Sequence, residues 1–203
     1  MIKKKTILLC GFPCSGKDTV GTILENQFGY KMIAFGNNLK ILCSYIRLGD
    51  VMNVMSFMVN AVGLSGEAAF QAYKRYRNIP CNDKKDRLLL QTVGTDMRKI
   101  KNDVWVNPVK HFADKNKCVI TDCRRLFELE SFPEAYKVFI DVSDHIIYNR
   151  LKERDGYYDI DILTKESEIE IPSLKEKCDF VIDNNGSMKQ LVKRVQAMMM
   201  EEQ

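Results

Sequence analysis

Short apolar runs alternate along the chain with longer stretches whose apolar residues recur at helical spacing. The runs at Thr6-Ile7-Leu8-Leu9-Cys10, Lys31-Met32-Ile33-Ala34-Phe35, 117–121, 137–142 and 179–182 are too short for core helices and lead into Gly, Asp or Ser. They predict strands. Val20, Ile23, Leu24 and Phe28 fall at i, i+3, i+4 and i+8, a helix that Gly29 stops. Gly36-Asn37-Asn38 opens a long, mostly helical region to about Val62. Ser65-Gly66-Glu67 then caps a short helix that reaches Tyr76 before Ile79-Pro80 breaks it. Helical patterns follow over 84–101 and 105–114. A last one starts at Ser187, with Met188, Leu191, Val192, Val195 and Met199 on one face. This alternation predicts an α/β fold, a mainly parallel five-stranded sheet covered by helices on both sides.

Ligands of such sheets sit beyond the carboxyl ends of the strands. The polar residues expected there are Gly11 onward, Asp122 and its followers, Asp141-Val142-Ser143-Asp144, and Asp183-Asn184-Asn185. The first is the most informative. Gly11-Phe12-Pro13-Cys14-Ser15-Gly16-Lys17 reads Gly-x-x-x-x-Gly-Lys between a strand and a helix, the context in which that spacing means a phosphate loop. Its backbone N–H groups would line one concavity, and the helix that follows adds its positive end. Lys17 would reach the β- and γ-phosphates. Where such loops carry a Ser or Thr that binds Mg²⁺, this chain has Asp18, with Thr19 next. A carboxylate beside phosphates calls for a cation between them, so Asp18 reads as a metal ligand, direct or through water. The alternative is a helix cap, where negative charge is favoured.

Composition narrows the class. The chain has 203 residues, enough for one α/β domain, and 31 basic against 27 acidic residues leave a net charge of +4. Charge of one sign is not massed beyond Lys3-Lys4-Lys5, so no nucleic-acid groove is indicated. The apolar run after those lysines ends at Gly11 and Pro13, and reads as a strand and not as a secretion signal. Val51 to Val62 is the most apolar segment but too short to span a bilayer, and it carries Asn53, Ser56 and Asn60 along one face. It reads as a buried or partner-facing helix. Seven cysteines without a Cys-x-x-Cys, and only two histidines, point to reduced thiols, a cytoplasmic setting and no zinc site. Cys14, inside the phosphate loop, reads as a small filler or an oxidisable thiol.

Three further constellations carry chemistry. Asp122-Cys123-Arg124-Arg125-Leu126-Phe127-Glu128 closes a strand with a carboxylate placed to hold Mg²⁺ through its waters. Arg124 and Arg125 follow at a helix start, where the dipole opposes a cation unless an anion is near. On the helix 84–101, Leu89, Leu90, Val93, Met97 and Ile100 take one side, while Arg87, Gln91, Gly94, Thr95 and Arg98 form an opposite stripe. A glycine in mid-helix costs ~1 kcal/mol against alanine, which fits a close ligand or backbone. A solvated polar face is the plainer reading. Arg150 and Arg154 lie one turn apart before Asp155-Gly156-Tyr157, placed either to fold over transferring phosphates or to pair with Glu153 or Asp155. Trp105 is a base-stacking or a core residue. Glu166-Ser167-Glu168 orients those arginines or caps a helix, and Asn184-Asn185-Gly186 is a turn with an adenine contact as its second use.

Taken in order, these residues resemble the viral deoxynucleoside monophosphate kinases, a branch of the P-loop kinases. The resemblance is carried by Ser15-Gly16-Lys17-Asp18-Thr19, Phe35 through Leu39-Lys40, and Arg87-x-x-x-Gln91-x-x-Gly94-Thr95-x-x-Arg98 followed by Trp105. It continues through Asp122-x-Arg124-x-x-x-Glu128, Ser167-Glu168 and Asn184-x-Gly186-Ser187. The chain departs at Asp96, where the family commonly has Glu, and at Asn37-Asn38, where it has Asp-Pro before Leu-Lys. The resemblance implies a single three-layer P-loop kinase domain. Its core would lie at about 1–36, 115–145 and 176–203, its acceptor-binding helical region at about 37–114 and a lid at about 150–172. It implies Mg²⁺-dependent transfer of the γ-phosphoryl group of ATP to a deoxynucleoside monophosphate. Gly11, Pro13, Cys14, Ser15, Gly16, Lys17, Asp18, Thr19 and Asn184 would hold the donor, and Asp18 and Asp122 the metal. Lys17, Arg124, Arg150 and Arg154 would neutralise the group in flight, while Lys40, Arg87, Gln91, Arg98, Trp105, Arg124, Glu128 and Glu168 hold the acceptor. The region 41–63 matches no family motif and is left as a homodimer face or a cover over the acceptor. Two other readings stay open: a P-loop kinase for a phosphomevalonate-like or dephospho-coenzyme-A-like acceptor, and a nucleotide-binding switch, against which no Asn-Lys-x-Asp occurs.

Overall fold

The computed structural model describes residues 5–81, 86–156, 160–164 and 168–201. The first apolar run forms β1 (Thr6–Cys10), and the loop after it feeds α1 (Lys17–Phe28). Gly29 adopts the left-handed conformation that ends a helix, with its N–H on the Glu25 carbonyl and the Tyr30 N–H on the Leu24 carbonyl. β2 (Lys31–Ile33) is shorter than the apolar run suggests, because Phe35 already belongs to the helical entry that follows.

The next segment is all helical: α2 (Gly36–Leu48), α3 (Val51–Ser56) running into a π-helical turn at 57–62, α4 (Gly66–Arg77), α5 (Arg87–Ile100) and α6 (Val106–Lys115). The region read as mostly helical to Val62 is interrupted at Gly49, which is left-handed, and restarted by Asp50, whose carboxylate caps the Asn53 N–H. Along 51–62 one face is buried through Val54, Met58 and Val62, while Met52 stays 80% exposed. Ser65 caps α4 by accepting from the Ala68 N–H, as its position predicts. Lys84, the expected start of the next helix, lies outside the described residues.

The chain then alternates again: β3 (Cys118–Cys123), α7 (Leu126–Glu130), β4 (Tyr136–Asp141), α8 (Asp144–Asp155), a 3₁₀ turn at 160–164, α9 (Ile171–Lys175), β5 (Phe180–Asp183) and α10 (Met188–Met200). The five strands pair in the order β2-β3-β1-β4-β5, all parallel. Asp122 therefore sits inside β3, not after it. Opposite β3 the register of β1 shifts between Leu8 and Cys10, an irregularity that re-aims the chain just before Gly11.

The chain divides into two compact units, Met1–Ala34 with Phe112–Gln203, and Phe35–His111. The sheet unit is built by strand periodicity. Ile7 and Leu9 of β1, Val119 of β3, Val138 and Ile140 of β4, and Ile182 of β5 share one core with Val20, Ile23 and Leu24 of α1 and Leu191, Val195 and Met198 of α10. A second cluster joins Val142 to Ile147 and Leu151 of α8, with Phe12 and Cys14 of the loop packed on it. The helical unit buries its own apolar faces, including Leu42, Ile46, Leu89, Val93 and Met97. Among the described residues no helix is long and apolar enough to cross a membrane.

Candidate phosphate-binding site

The loop between β1 and α1 is shaped by two glycines that nothing else could replace. Gly11 has φ +140, and a Cβ there would stand 2.7 Å from the Ile140 carbonyl oxygen. Gly16 has φ +102, and its Cβ would stand 2.4 Å from Nδ2 of Asn184. Both conformations are strained for residues with a side chain. Cys14 nevertheless takes φ +56 at the tip. The loop is therefore curled tightly and held from behind.

Lys17 lies under this curl. Its Nζ donates to the Gly11 and Phe12 carbonyls, both at 2.7 Å, and the residue is only 7% exposed. Burial is the main cause that lowers its pKa to about 8, with the Arg124 guanidinium acting in the same direction; Glu168, Asp18 and Asp122 oppose it. Those four charged side chains are thus close enough to act on Lys17 within the sheet unit. Ser15 is 1% exposed and its hydroxyl has no hydrogen-bond partner among the described residues. Such a group is costly unless a ligand supplies the missing bond.

Asp18 is not the cap of its helix, because Gly16 occupies that position and no side chain caps it. The Asp18 side chain is exposed in the first turn, and Thr19 beside it is half-buried. Asp122 is half-buried near the end of β3. Among the described residues no group of three or more His, Cys, Asp or Glu could hold a metal ion by itself.

The arginines divide. Arg124 forms an ion pair with the buried Glu168, whereas the reading of 166–168 has Arg150 and Arg154 as the arginines to be oriented. Glu166 and Ser167 lie outside the described residues, as does Tyr157. Glu128 turns back on its own helix: its Oε2 accepts from the Arg124 N–H at 2.9 Å and the Arg125 N–H at 3.2 Å. Glu170, which belongs to no motif, accepts from the Leu126 N–H at 2.7 Å and lies 3.6 Å from Arg125. Arg154 pairs with Asp155 at 2.7 Å, the plainer of its two readings. Arg150 donates to the Cys14 carbonyl at 3.1 Å and to the Asn184 carbonyl at 3.1 Å, and Asn184 donates to the Ser15 carbonyl at 2.8 Å. Both are fastened to the loop's backbone. Pro13 is half-buried within that loop.

In the helical unit, α5 begins at Asp86, which has φ +50 and is gripped by Arg47 through two bonds of 2.5 and 2.8 Å. Two expectations on and just after this helix change. Gly94 is buried, and what approaches it is protein: a Cβ would stand 2.9 Å from a Leu39 methyl. Trp105 is 4% exposed, donates from Nε1 to the Gly94 carbonyl at 3.1 Å and stacks on Phe57 at 5.7 Å, so it is a core residue. Gln91 and Lys40 remain exposed, while Arg87 and Arg98 are half-buried.

Comparison with known proteins finds related folds. The structure of TT1252 from Thermus thermophilus is similar with a TM-score of 0.55 at 17% identity, covering 96% of this chain and 95% of that one. A shikimate kinase from Bacteroides thetaiotaomicron has a TM-score of 0.49 at 15% identity, covering 96% and 95%. A dephospho-CoA kinase from Campylobacter jejuni has a TM-score of 0.48 at 18% identity, covering 97% and 96%. No curated protein matches the sequence. The model of the AAA_18 family, described as an AAA domain, matches residues 7–172. With a family model spanning most of its length, the chain belongs to the AAA_18 family.

Proposed function

We propose that the chain binds MgATP at this loop and transfers the γ-phosphoryl group to a deoxynucleoside 5′-monophosphate, giving the diphosphate and ADP. The observation that carries the reading is the loop itself, with Lys17 beneath it, a buried Ser15 hydroxyl lacking a partner, and glycines where a side chain would fill the curl. These residues fit a polyphosphate. Asp18 and Asp122 would hold Mg²⁺, which when bound neutralises charge between the donor phosphates.

An acceptor phosphate oxygen is already a nucleophile and attacks the γ-phosphorus as the bond to the β-phosphate oxygen breaks, so no strong base is required. The protein's work is alignment, charge compensation and exclusion of water. Lys17 exchanges its two carbonyl acceptors for phosphate oxygens. Arg124, oriented by Glu168, supplies a planar donor pair to the group in flight. Lys40, Arg87, Gln91 and Arg98 of the helical unit supply cations and an amide for the acceptor. The acceptor class rests on the motif resemblance around these residues and on Asp122-x-Arg124-x-x-x-Glu128.

A coupled ADP-release screen tests it, with deoxynucleoside and ribonucleoside monophosphates, dephospho-coenzyme A and no acceptor. ADP is expected only with deoxynucleoside monophosphates, and Lys17→Ala is expected to lower turnover at least about a hundredfold. Asp18→Asn is expected to raise the Mg²⁺ requirement. Turnover confined to dephospho-coenzyme A overturns the acceptor class, and equal ADP release without acceptor overturns transfer in favour of a hydrolytic switch.

A further inference from the structure

In a trans peptide the C=O and the N–H point to opposite sides of the chain, so whatever grips the carbonyl also aims the N–H. Two carbonyls of the phosphate loop are gripped from behind. Asn184 Nδ2 donates to the Ser15 carbonyl at 2.8 Å, and Arg150 Nη1 donates to the Cys14 carbonyl at 3.1 Å and the Ser15 carbonyl at 3.4 Å. Arg150 Nη2 holds the Asn184 carbonyl at 3.1 Å, and the Asn184 N–H is tied to the Asp141 carbonyl at 2.8 Å. The Arg150 side chain thus braces the Asn184 backbone, which is anchored in turn at the end of β4. Arg150 comes from the middle of α8.

The N–H groups across these two peptides belong to Ser15 and Gly16. The Ser15 N–H closes the loop on the Phe12 carbonyl at 3.2 Å, whereas the Gly16 N–H has no protein acceptor among the described residues. The conformation that produces this is not one the loop favours alone, since Cys14 sits at φ +56 with a side chain. Asn184 also fits against Gly16 with no room to spare, a Cβ there falling 2.4 Å from its Nδ2.

We infer that Arg150 and Asn184 are positioning residues for the donor phosphates: they hold the Ser15–Gly16 peptide so that its N–H, and not its carbonyl, faces the phosphate cavity. A cation and an amide dipole on the Ser15 carbonyl also polarise that peptide and strengthen its N–H as a donor. The inference rests on the phosphate-loop reading above. It gives Arg150 a different task from neutralising the group in flight, because both terminal nitrogens of its guanidinium are committed to backbone carbonyls.

The test titrates magnesium tripolyphosphate and MgATP into the wild-type chain, Arg150→Met, Arg150→Lys and Asn184→Leu, which keeps the asparagine's shape without its donor. Melting temperature is recorded for each, with KM for ATP and kcat where turnover is found. Arg150→Met and Asn184→Leu are expected to weaken both polyphosphates at least tenfold with melting temperatures within a few degrees of wild type. Arg150→Lys should recover part of the loss, and in turnover the loss should fall on KM for ATP more than on kcat. Should Asn184→Leu fail to fold, Asn184→Ser, with a shorter donor, is expected to lose less than Arg150→Met. Variants that bind within twofold of wild type overturn the inference, as does an Arg150→Met that loses kcat with donor affinity intact. A wild-type chain that binds neither polyphosphate overturns the phosphate-loop reading itself.

Discussion

An ammonium group is seldom taken out of water without a carboxylate beside it, and Lys17 is held instead by two peptide carbonyls at 2.7 Å. The consequence is a pKa of about 8, burial being the first cause and the Arg124 guanidinium the second. An unfolded lysine titrates near about 10.4, so between about 8 and 10 the unfolded chain binds a proton that the folded chain does not. Lys17 therefore weakens folding most below about 8, and that cost is relieved as pH rises through the window. A polyphosphate reverses the balance by favouring the charged lysine. MgATP binding is expected to take up a proton at pH 8.5 and little at pH 6.5, with affinity falling as pH climbs past about 8. Calorimetry in buffers of different ionisation enthalpy reads this directly. The same slope in Lys17→Met would assign the proton to another group.

At the scale of elements, what could be read from the chain was whatever a short window determines. Gly11 and Gly16 between an apolar run and a helix identify the loop, because a phosphate loop is a local structure. The break at Gly49-Asp50 was equally local, a glycine stop followed by an Asx cap, but it lies inside a segment whose apolar density masks it. The stripe on α5 was opaque for another reason. Gly94 reads as room for a close ligand or backbone, and the room belongs to Leu39 and to the Trp105 hydrogen bond, contacts between different elements that periodicity does not carry. Asn184 is legible as a polar residue at a strand end and Arg150 as one of two cations a turn apart on a helix, yet their partners are backbone carbonyls, which look alike in every sequence. The two meanings of Gly94 separate by mutation. Gly94→Ala gains ~1 kcal/mol of helix propensity and displaces only the end of a flexible Leu39, so stability is expected within about 1 kcal/mol of wild type and turnover unchanged. Gly94→Val should cost about 1–3 kcal/mol by overpacking, partly restored by Leu39→Ala in chemical denaturation. A stable Gly94→Ala with a large loss of kcat/KM for the acceptor would return the position to ligand contact.

For the whole molecule, the chain order sets up a division of labour. The loop, Asp122, Arg124, Arg150, Glu168 and Asn184 all belong to the sheet unit, while Lys40, Arg87, Gln91 and Arg98 all belong to the helical unit between β2 and β3. If donor and acceptor are recognised by different units, their footprints on the backbone should be separable. A non-hydrolysable MgATP analogue alone is expected to slow amide exchange across 11–19 and around 122–126 and 184, and to leave 87–98 at its free rate. Adding a deoxynucleoside monophosphate should then protect 87–98 as well, because a ligand held by side chains on α5 adds its binding free energy to the cost of opening that helix. Protection of 87–98 by inorganic phosphate to the same degree would mean that the phosphate is recognised and the nucleoside is not, which points to another phosphorylated acceptor. Protection of 87–98 by the donor analogue alone would place donor recognition on the helical unit and undo the division, whatever the turnover assay reports.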